Sequence, residues 1–243
     1  MEYGKMLGES IEYAKEAVWG KWTRWLLLVI STIIFPLLIG YTMEIYRGKR
    51  PAPEPDQWWK MFVDGLKLFV AAIIYAIPVF IVIVATIGYA IVGIFSRLPQ
   101  GNPDYLAAHP EIVLGMLPEI LPGILAGIVL TLIVAFIISL FATIAMVRLA
   151  RTDRFGEAFN FGEILATIRK IGWGSYILAL IVIGIVSFIF AVVIGAFRMI
   201  PYIGWLIWLI FMPVLSIFQA RYITLLYENA EPAPAEVQAA PQA

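Results

Sequence analysis

The chain contains no cysteine and a single histidine, His109, which sits beside Pro110. The first absence excludes disulfides, thiolate metal sites and cysteine nucleophiles, without revealing the redox compartment. The second leaves little from which a metal site or an imidazole base could be built. No glycine-rich phosphate loop and no nucleophile elbow occurs. Charge is scarce too: 14% of residues are charged, against about 25% in soluble domains. Basic and acidic residues are equal in number, 17 of each, so net charge points to neither nucleic acid nor an acidic partner. The middles of the apolar runs hold no ionisable side chain, whereas an ion-coupled carrier places such groups there. Glu44, Lys67, Arg97, Glu119, Arg148 and Arg198 stand at the ends of those runs, where long side chains reach the interface. The expectation is a protein that is not an enzyme, with no catalytic, cofactor-binding or metal-binding residues and no coupled transport.

What is abundant is apolar side chain, at 62%, against roughly 45–50% in soluble domains. One soluble core of 243 residues cannot hide that much, so lipid is the solvent. Crossing the hydrocarbon takes about 20 apolar residues in a helix. Five stretches qualify: 25–46, 68–95, 120–147, 175–197 and 199–220. The second and third run to about 28 residues, or roughly 42 Å, and must tilt or extend past the hydrocarbon. Pro78 predicts a bend in the second. The fold class is all-α, a polytopic transmembrane helical bundle.

Lysine and arginine divide the loops. Residues 47–67 carry Arg47, Lys49, Arg50, Lys60 and Lys67, and residues 148–172 carry Arg148, Arg151, Arg154, Arg169 and Lys170. The other two loops carry only Arg97 and Arg198. The positive-inside tendency places both basic loops, and the C-terminal tail, on the cytosolic side of the cell (cytoplasmic) membrane. Five full spans then leave the N-terminus outside, although Lys15, Lys21 and Arg24 adjoin the first span. The alternative is a re-entrant hairpin over 25–46, bent at Pro36. The full span is favoured, because the segment is short for a hairpin and lipid-exposed irregular backbone is costly.

Residues 1–24 are polar and periodic, unlike a cleavable signal. Leu7, Ile11, Ala14, Val18 and Trp22 make one helical stripe, which predicts an amphipathic helix over 5–22. It lies either on the membrane surface or against the protein's own cytosolic face. Residues 99–122 hold several prolines and Gly101-Asn102, and predict a loop with one short helix around 105–116. The tail, 228–243, is Pro/Ala-rich from Glu231 and is expected to be disordered.

The two basic loops look like versions of one unit. Sliding Trp58 onto Phe161 also lays Phe62 on Leu165, and Lys60, Asp64 and Lys67 on Glu163, Thr167 and Lys170. Each polar set makes a single stripe on a short helix. Asp56 and Asn160 are placed to cap these helices. Cytosolic interfacial helices are therefore expected over 57–67 and 161–171, within a tandem repeat of span, interfacial helix and span. Their cations, with Asp64 and with Trp58 from the apolar stripe, form the candidate contact surface: Arg47, Lys49, Arg50, Trp58, Lys60, Asp64, Lys67, Arg148, Arg151, Arg154 and Lys170. Membrane lipids are the expected partners, with a protein partner or a second copy of the chain as further candidates, and no nucleic acid. A cation at an anionic lipid surface contributes about 1 kcal/mol. The plainer reading is that these cations only enforce topology. Asp153 and Glu157, interleaved with Arg151 and Arg154, read as local ion pairing. Gly123-x-x-x-Gly127 permits close helix approach or marks a frayed helix start. Hydroxyls within the spans, such as Thr86, Thr131, Ser139 and Ser187, read as bonded to backbone or to neighbouring helices.

Several runs also resemble a known family. Gly40-Tyr41, Arg47-Gly48, Pro55-Asp56, Trp58, Phe62-Val63-Asp64-Gly65-Leu66-Lys67 and Ile74-Tyr75-Ala76-Ile77-Pro78 resemble the membrane family catalogued as domain of unknown function 4013, which is common in archaea, especially methanogens. Ala150-Arg151, Phe155-Gly156-Glu157-Ala158-Phe159, Ile164 and Trp173 look like its second stretch, and Ala220-Arg221-Tyr222 with Leu226-Tyr227 like its close. The segment PAPEPD departs from the Leu-Pro often found there. The resemblance implies a multi-pass membrane protein of unassigned activity and carries over no catalytic residue. The functional expectation is a membrane-organising or lipid- or partner-binding protein. The alternative is an uncoupled transporter or permeability factor for a small or amphiphilic solute.

Overall fold

A computed structural model describes residues 2–96, 111–197, 200 and 202–231. His109, Arg97, Arg198, the 105–110 part of the helix expected over 105–116 and the tail from residue 232 lie outside them. The described regular structure is helical, with no strand. In chain order it comprises α1 Tyr3–Val18, α2 Trp22–Ile33, α3 Leu37–Tyr46, α4 Trp58–Phe95, α5 Glu111–Thr152, a 3-10 turn Phe155–Phe159, α6 Phe161–Ile171, α7 Trp173–Phe197 and α8 Ile203–Glu228. Among the described residues four helices are long and apolar enough to cross a membrane, and a fifth span is counted only if α2 and α3 are taken together. In these four, only 6% to 28% of the most apolar window is buried inside the protein. Side chains that apolar and that exposed need lipid around them. The protein is therefore membrane-embedded.

The chain divides into two compact units, with boundaries inside α4 and α5: residues up to Ala72 together with those from Phe141 onward, and Ile73–Leu140. In the first unit α8 is the central element, because α1, α2, α3 and α7 all pack on it. It runs on to Glu228, beyond the expected end at 220. Ile217, Tyr222 and Leu226 in this C-terminal half are fully buried. On α1 the buried face is Met6, Ser10, Tyr13, Ala14 and Ala17, and small residues among them let the backbones approach. The expected stripe is offset from this face: Ala14 and Val18 are buried, whereas Ile11 and Trp22 stay exposed. Helix α1 also ends at Val18, short of residue 22, and Gly20 takes up the turn at φ +73°.

Residues 25–46 do not form one straight span. Helices α2 and α3 meet at Pro36 and bend by 119°. At 12 and 10 residues they are roughly 18 and 15 Å long, each too short for a core of about 30 Å. The bend sends α3 back. Arg24, near the start of α2, donates through Nε to Glu54 Oε2 at 2.9 Å and through Nη1 to the Ala52 carbonyl at 3.4 Å, both just past α3. The two ends of the pair therefore meet, as in the re-entrant alternative. Proline supplies the break, since it gives the ladder no N–H.

Glycine lets this hairpin sit directly on α4. A Cβ built at Gly40 falls on the Met61 carbonyl oxygen, and one built at Gly65 falls on the Pro36 carbonyl oxygen. Backbone lies against backbone at both places, and only glycine leaves the room. The expected interfacial helix over 57–67 is not a separate element. Its residues are the opening turns of α4, which continues without a break past residue 67 and carries Pro78 inside. Its first bond runs from Met61 N–H to the Gln57 carbonyl at 2.8 Å, so Gln57, not Asp56, takes the cap position. The second expected helix is separate: the Asn160 side chain accepts from Glu163 N–H at 3.3 Å, and Gly172 at φ +91° ends α6.

Among the described residues, the second unit, taken by itself, consists of the later part of α4 and the earlier part of α5. A Cβ at Gly123 would fall on the Tyr89 ring, and one at Gly127 on Thr86, so the Gly-x-x-x-Gly spacing brings the two helices together. Pro118 and Pro122 lie inside α5, so no separate short helix precedes the span among the described residues. Neighbouring helices and local adjustments let membrane helices accommodate proline.

Candidate functional site

The basic segments and the chain ends collect at one place in the first unit. Glu44, at the last turn of α3, is buried and receives Arg47 Nη1 at 2.5 Å, Lys49 Nζ at 2.6 Å and Lys60 Nζ at 2.7 Å. Arg47 Nη1 also meets buried Asp64 at 2.6 Å, and its Nη2 lies 3.5 Å from Asp153. Lys67 bridges Asp153 at 2.8 Å and Asp64 at 3.6 Å. Asp153 can hold this position at φ +51° because aspartate tolerates left-handed backbone better than most residues. The Lys67 hydrogen bond holds its carboxyl below the usual range. Burial opposes the charge on Arg47, but the hydrogen bond to Asp64 and the nearby carboxylates outweigh it and hold that guanidinium above its usual range.

Two arginines exchange caps. Arg47 Nε donates to the Ala150 carbonyl at 3.3 Å, and Arg151 Nε donates to the Tyr46 carbonyl at 2.6 Å. Tyr46 and Ala150 lie in the last turns of α3 and α5, where carbonyls have no partner within the helix and the dipole favours a cation. Each basic segment thereby closes the helix that precedes the other.

A second set ties in the chain ends. Arg151 Nη2 meets Glu228 at 2.7 Å, Arg50 meets Glu9 at 2.6 Å and Glu228 at 3.6 Å, and Arg221 meets Glu9 at 2.8 Å. The Arg221 side chain is 0% exposed and lies 5.1 Å from the centre of the Tyr13 ring. Tyr13 in turn donates to the Lys49 carbonyl at 2.9 Å. A third set joins α5 to α6 and the end of the described chain. Arg148 meets Glu157 at 2.7 Å and Glu231 at 3.9 Å, and Lys170 meets Glu231 at 3.6 Å. The Arg148 hydrogen bond holds Glu157 below the usual carboxylate range.

Among the described residues, every cation of the expected contact surface except Arg154 therefore has a carboxylate within 4.0 Å. Arg47, Asp64, Arg148 and Arg151 have turned inward, whereas Lys49, Arg50, Lys60, Lys67 and Lys170 remain partly exposed while paired. Arg154 is exposed. Trp58 is half-buried with Leu37, Trp59 and Phe62 around a shallow apolar hollow. Asp153 and Glu157 do pair with cations, but with Lys67 and Arg148, not with Arg151 and Arg154. Sequence reasoning named the cations and missed most of their counterions, Glu9, Glu44, Glu228 and Glu231, and also Arg221. The signal was present in the equal numbers of acids and bases. A small polar pocket of about 220 Å³, lined by Tyr41, Glu44, Lys49, Gln57 and Lys60, opens beside this cluster. Among the described residues no group of three or more His, Cys, Asp or Glu is placed to hold a metal ion.

Within the first unit Gln219 donates to Ser187 at 2.8 Å. In the second unit Thr86 and Thr131 line an apolar cleft of about 290 Å³, and their hydroxyls donate to Val82 and Gly127 carbonyls on their own helices.

Long lipid-facing helices, a helix pair bent back on itself and a cluster of ion pairs at the helix ends define a polytopic helical membrane protein. The family model described as "Protein of unknown function (DUF4013)" matches residues 25–199, and the chain belongs to that family. No curated protein and no solved structure matches it.

Proposed function

We propose that this is a non-enzymatic protein of the cytoplasmic membrane that binds lipid or a protein partner at its cytosolic face and so organises its surroundings. The observation that carries this reading is the cluster of paired charges that binds α1, the α2–α3 hairpin and the ends of α4, α5 and α8 into one assembly. It leaves aromatic side chains pointing outward, with Trp19, Trp22 and Trp59 exposed by 65% to 78%. Indole rings suit the headgroup layer. A fixed surface of aromatic anchors among paired charges is suited to holding a ligand, not to processing one. The loop distribution of Lys and Arg assigns this face to the cytosol. The exposed cations Lys60, Arg154 and Lys170, with Trp58 and Trp59, are the side chains available for contact.

The test is native mass spectrometry of the protein released gently from its own membrane. A discrete lipid or protein adduct that is lost when Lys60→Glu and Arg154→Glu are combined supports the reading. A bare protein contradicts it. The alternative, uncoupled passage of a small or amphiphilic solute, gains nothing from Thr86 or Thr131, because each hydroxyl already donates to its own helix.

A further inference from the structure

A larger hollow than the polar pocket lies away from the charge cluster in the first unit. An apolar groove of about 450 Å³ runs between α1, α2, α7 and α8, walled by Ile11, Val18, Trp25, Phe190, Phe211 and Phe218. That volume falls in the range of small-molecule sites, about 300–1,000 Å³. The walls are held in place. Trp25 donates its indole N–H to the Ile210 carbonyl at 3.0 Å, three residues before Pro213, where the proline already weakens the ladder of α8. Trp22 stacks on Trp25 at 5.6 Å, and Phe211 meets the same ring edge-on at 6.3 Å.

One charged side chain lines this groove, Lys15, and Trp19 lies one turn beyond it. Lys21 follows two residues later. The charge cluster neutralises its lysines and arginines, but Lys15 and Lys21 have no carboxylate within 4.0 Å among the described residues. An apolar trough open to hydrocarbon, with an unpaired cation and an exposed indole along it and a second unpaired cation close by in the chain, is complementary to an amphiphile with an anionic head. Both α7 and α8 are membrane-crossing helices, so the medium that reaches the groove is the bilayer itself.

We propose that this groove holds one hydrocarbon tail of an anionic phospholipid, with the phosphate against Lys15 and Lys21. The proposal rests on the lipid-binding reading above and gives it a site and a ligand class. The tail replaces lipid disorder with fixed walls, and the two ammonium groups select an anionic headgroup over a zwitterionic one.

The test uses the full chain in nanodiscs of phosphatidylcholine and phosphatidylglycerol, with phosphatidylglycerol that carries a photoactivatable diazirine in one chain. Crosslinks concentrated in residues 11–19 and 211–218 are expected; crosslinks spread evenly over the spans overturn the proposal, and this measurement needs no variant. In native mass spectrometry from the same discs, Val214→Phe, which fills the groove, should cut retained phosphatidylglycerol about tenfold. Lys15→Gln should lower the preference for phosphatidylglycerol over phosphatidylcholine about fivefold. Retention that ignores Val214→Phe but falls with Lys60→Glu and Arg154→Glu overturns the groove and leaves the broader reading standing. A dimer that dissociates on Val214→Phe also overturns it, since the groove is then a contact between copies. Wild-type protein with no adduct sinks both readings.

Discussion

The two basic segments, 47–67 and 148–172, begin alike and end differently. Each begins at the end of a helix, and each sends an arginine across to cap a carbonyl of the other's helix, Arg47 to Ala150 and Arg151 to Tyr46. The first segment then runs straight into its span. Gly65, inside α4, gives the hairpin backbone room to pass while the helix continues. The second stops at Gly172, whose φ of +91° ends α6 before α7 begins, with open space where a Cβ would be. The same residue type serves contact in one segment and conformation in the other. A shared polar stripe therefore does not imply a shared backbone path.

The largest effect should come from Gly65→Val. Overpacking a filled site costs about 1–3 kcal/mol, and here the obstacle is backbone, so the variant should lose folded protein in detergent size-exclusion chromatography. If Gly65→Val keeps wild-type yield and melting temperature, the hairpin is not seated on α4 as described. Arg47→Met comes next. It takes one cation from buried Glu44, which keeps Lys49 and Lys60, and one from buried Asp64, which keeps Lys67, so the cost should stay below the about 3–5 kcal/mol of stranding a buried charge outright. The exchange of caps adds a condition. The double variant Arg47→Met with Arg151→Met should destabilise by less than the sum of the singles, because both act on one network. Strict additivity in a thermal or denaturant cycle would separate the two segments.

Gly172→Ala should be milder. It meets no neighbour, but left-handed backbone costs an L-residue about 1–2 kcal/mol, so a lower melting temperature with unchanged yield is expected. Acid should act through Asp153 and Glu157, whose folded carboxyls are held below their usual range by Lys67 and Arg148. A depressed carboxyl contributes stability that is present above its unfolded pKa and lost as pH falls through the folded value. The melting temperature should therefore drop from about pH 5 downward, and Asp153→Asn should flatten that drop. An identical acid profile in Asp153→Asn would remove the Lys67 pairing from the stability of the fold. Arg154→Ala, at an exposed side chain, should stay within about 0.5 kcal/mol of wild type.

The helical, membrane-embedded fold was legible because apolar runs longer than a bilayer is thick have few other uses. The cationic half of the cluster was legible too, since positive loops stand out against neutral spans. The counterions were not. Glu9 meets Arg221 across 212 positions of sequence, and no local period reports a pairing at that range. Length and the cost of irregular backbone in lipid argue against a hairpin. What decided it was Pro36 together with Gly40 and Gly65, two glycines whose need for contact appears only when α3 lies on α4. The stripe on α1 was offset for a related reason: Ser10, Ala14 and Ala17 pack on α8 because they are small, and a hydrophobicity pattern gives small residues little weight.

The hairpin also changes the count of crossings. If 25–46 returns to the side it left, four spans remain, and both flanks of the hairpin and the end of α8 share one face of the membrane. The chain lacks cysteine, so single thiols report sidedness without background. The most direct measurement is therefore membrane-impermeant thiol labelling of Glu12→Cys, Asp56→Cys, Asn229→Cys and Ser96→Cys in sealed vesicles. A hairpin predicts that the first three label from the same side and Ser96→Cys from the other. Labelling of Glu12→Cys and Asp56→Cys from opposite sides would make 25–46 a true span and contradict the closed hairpin on which the site is built.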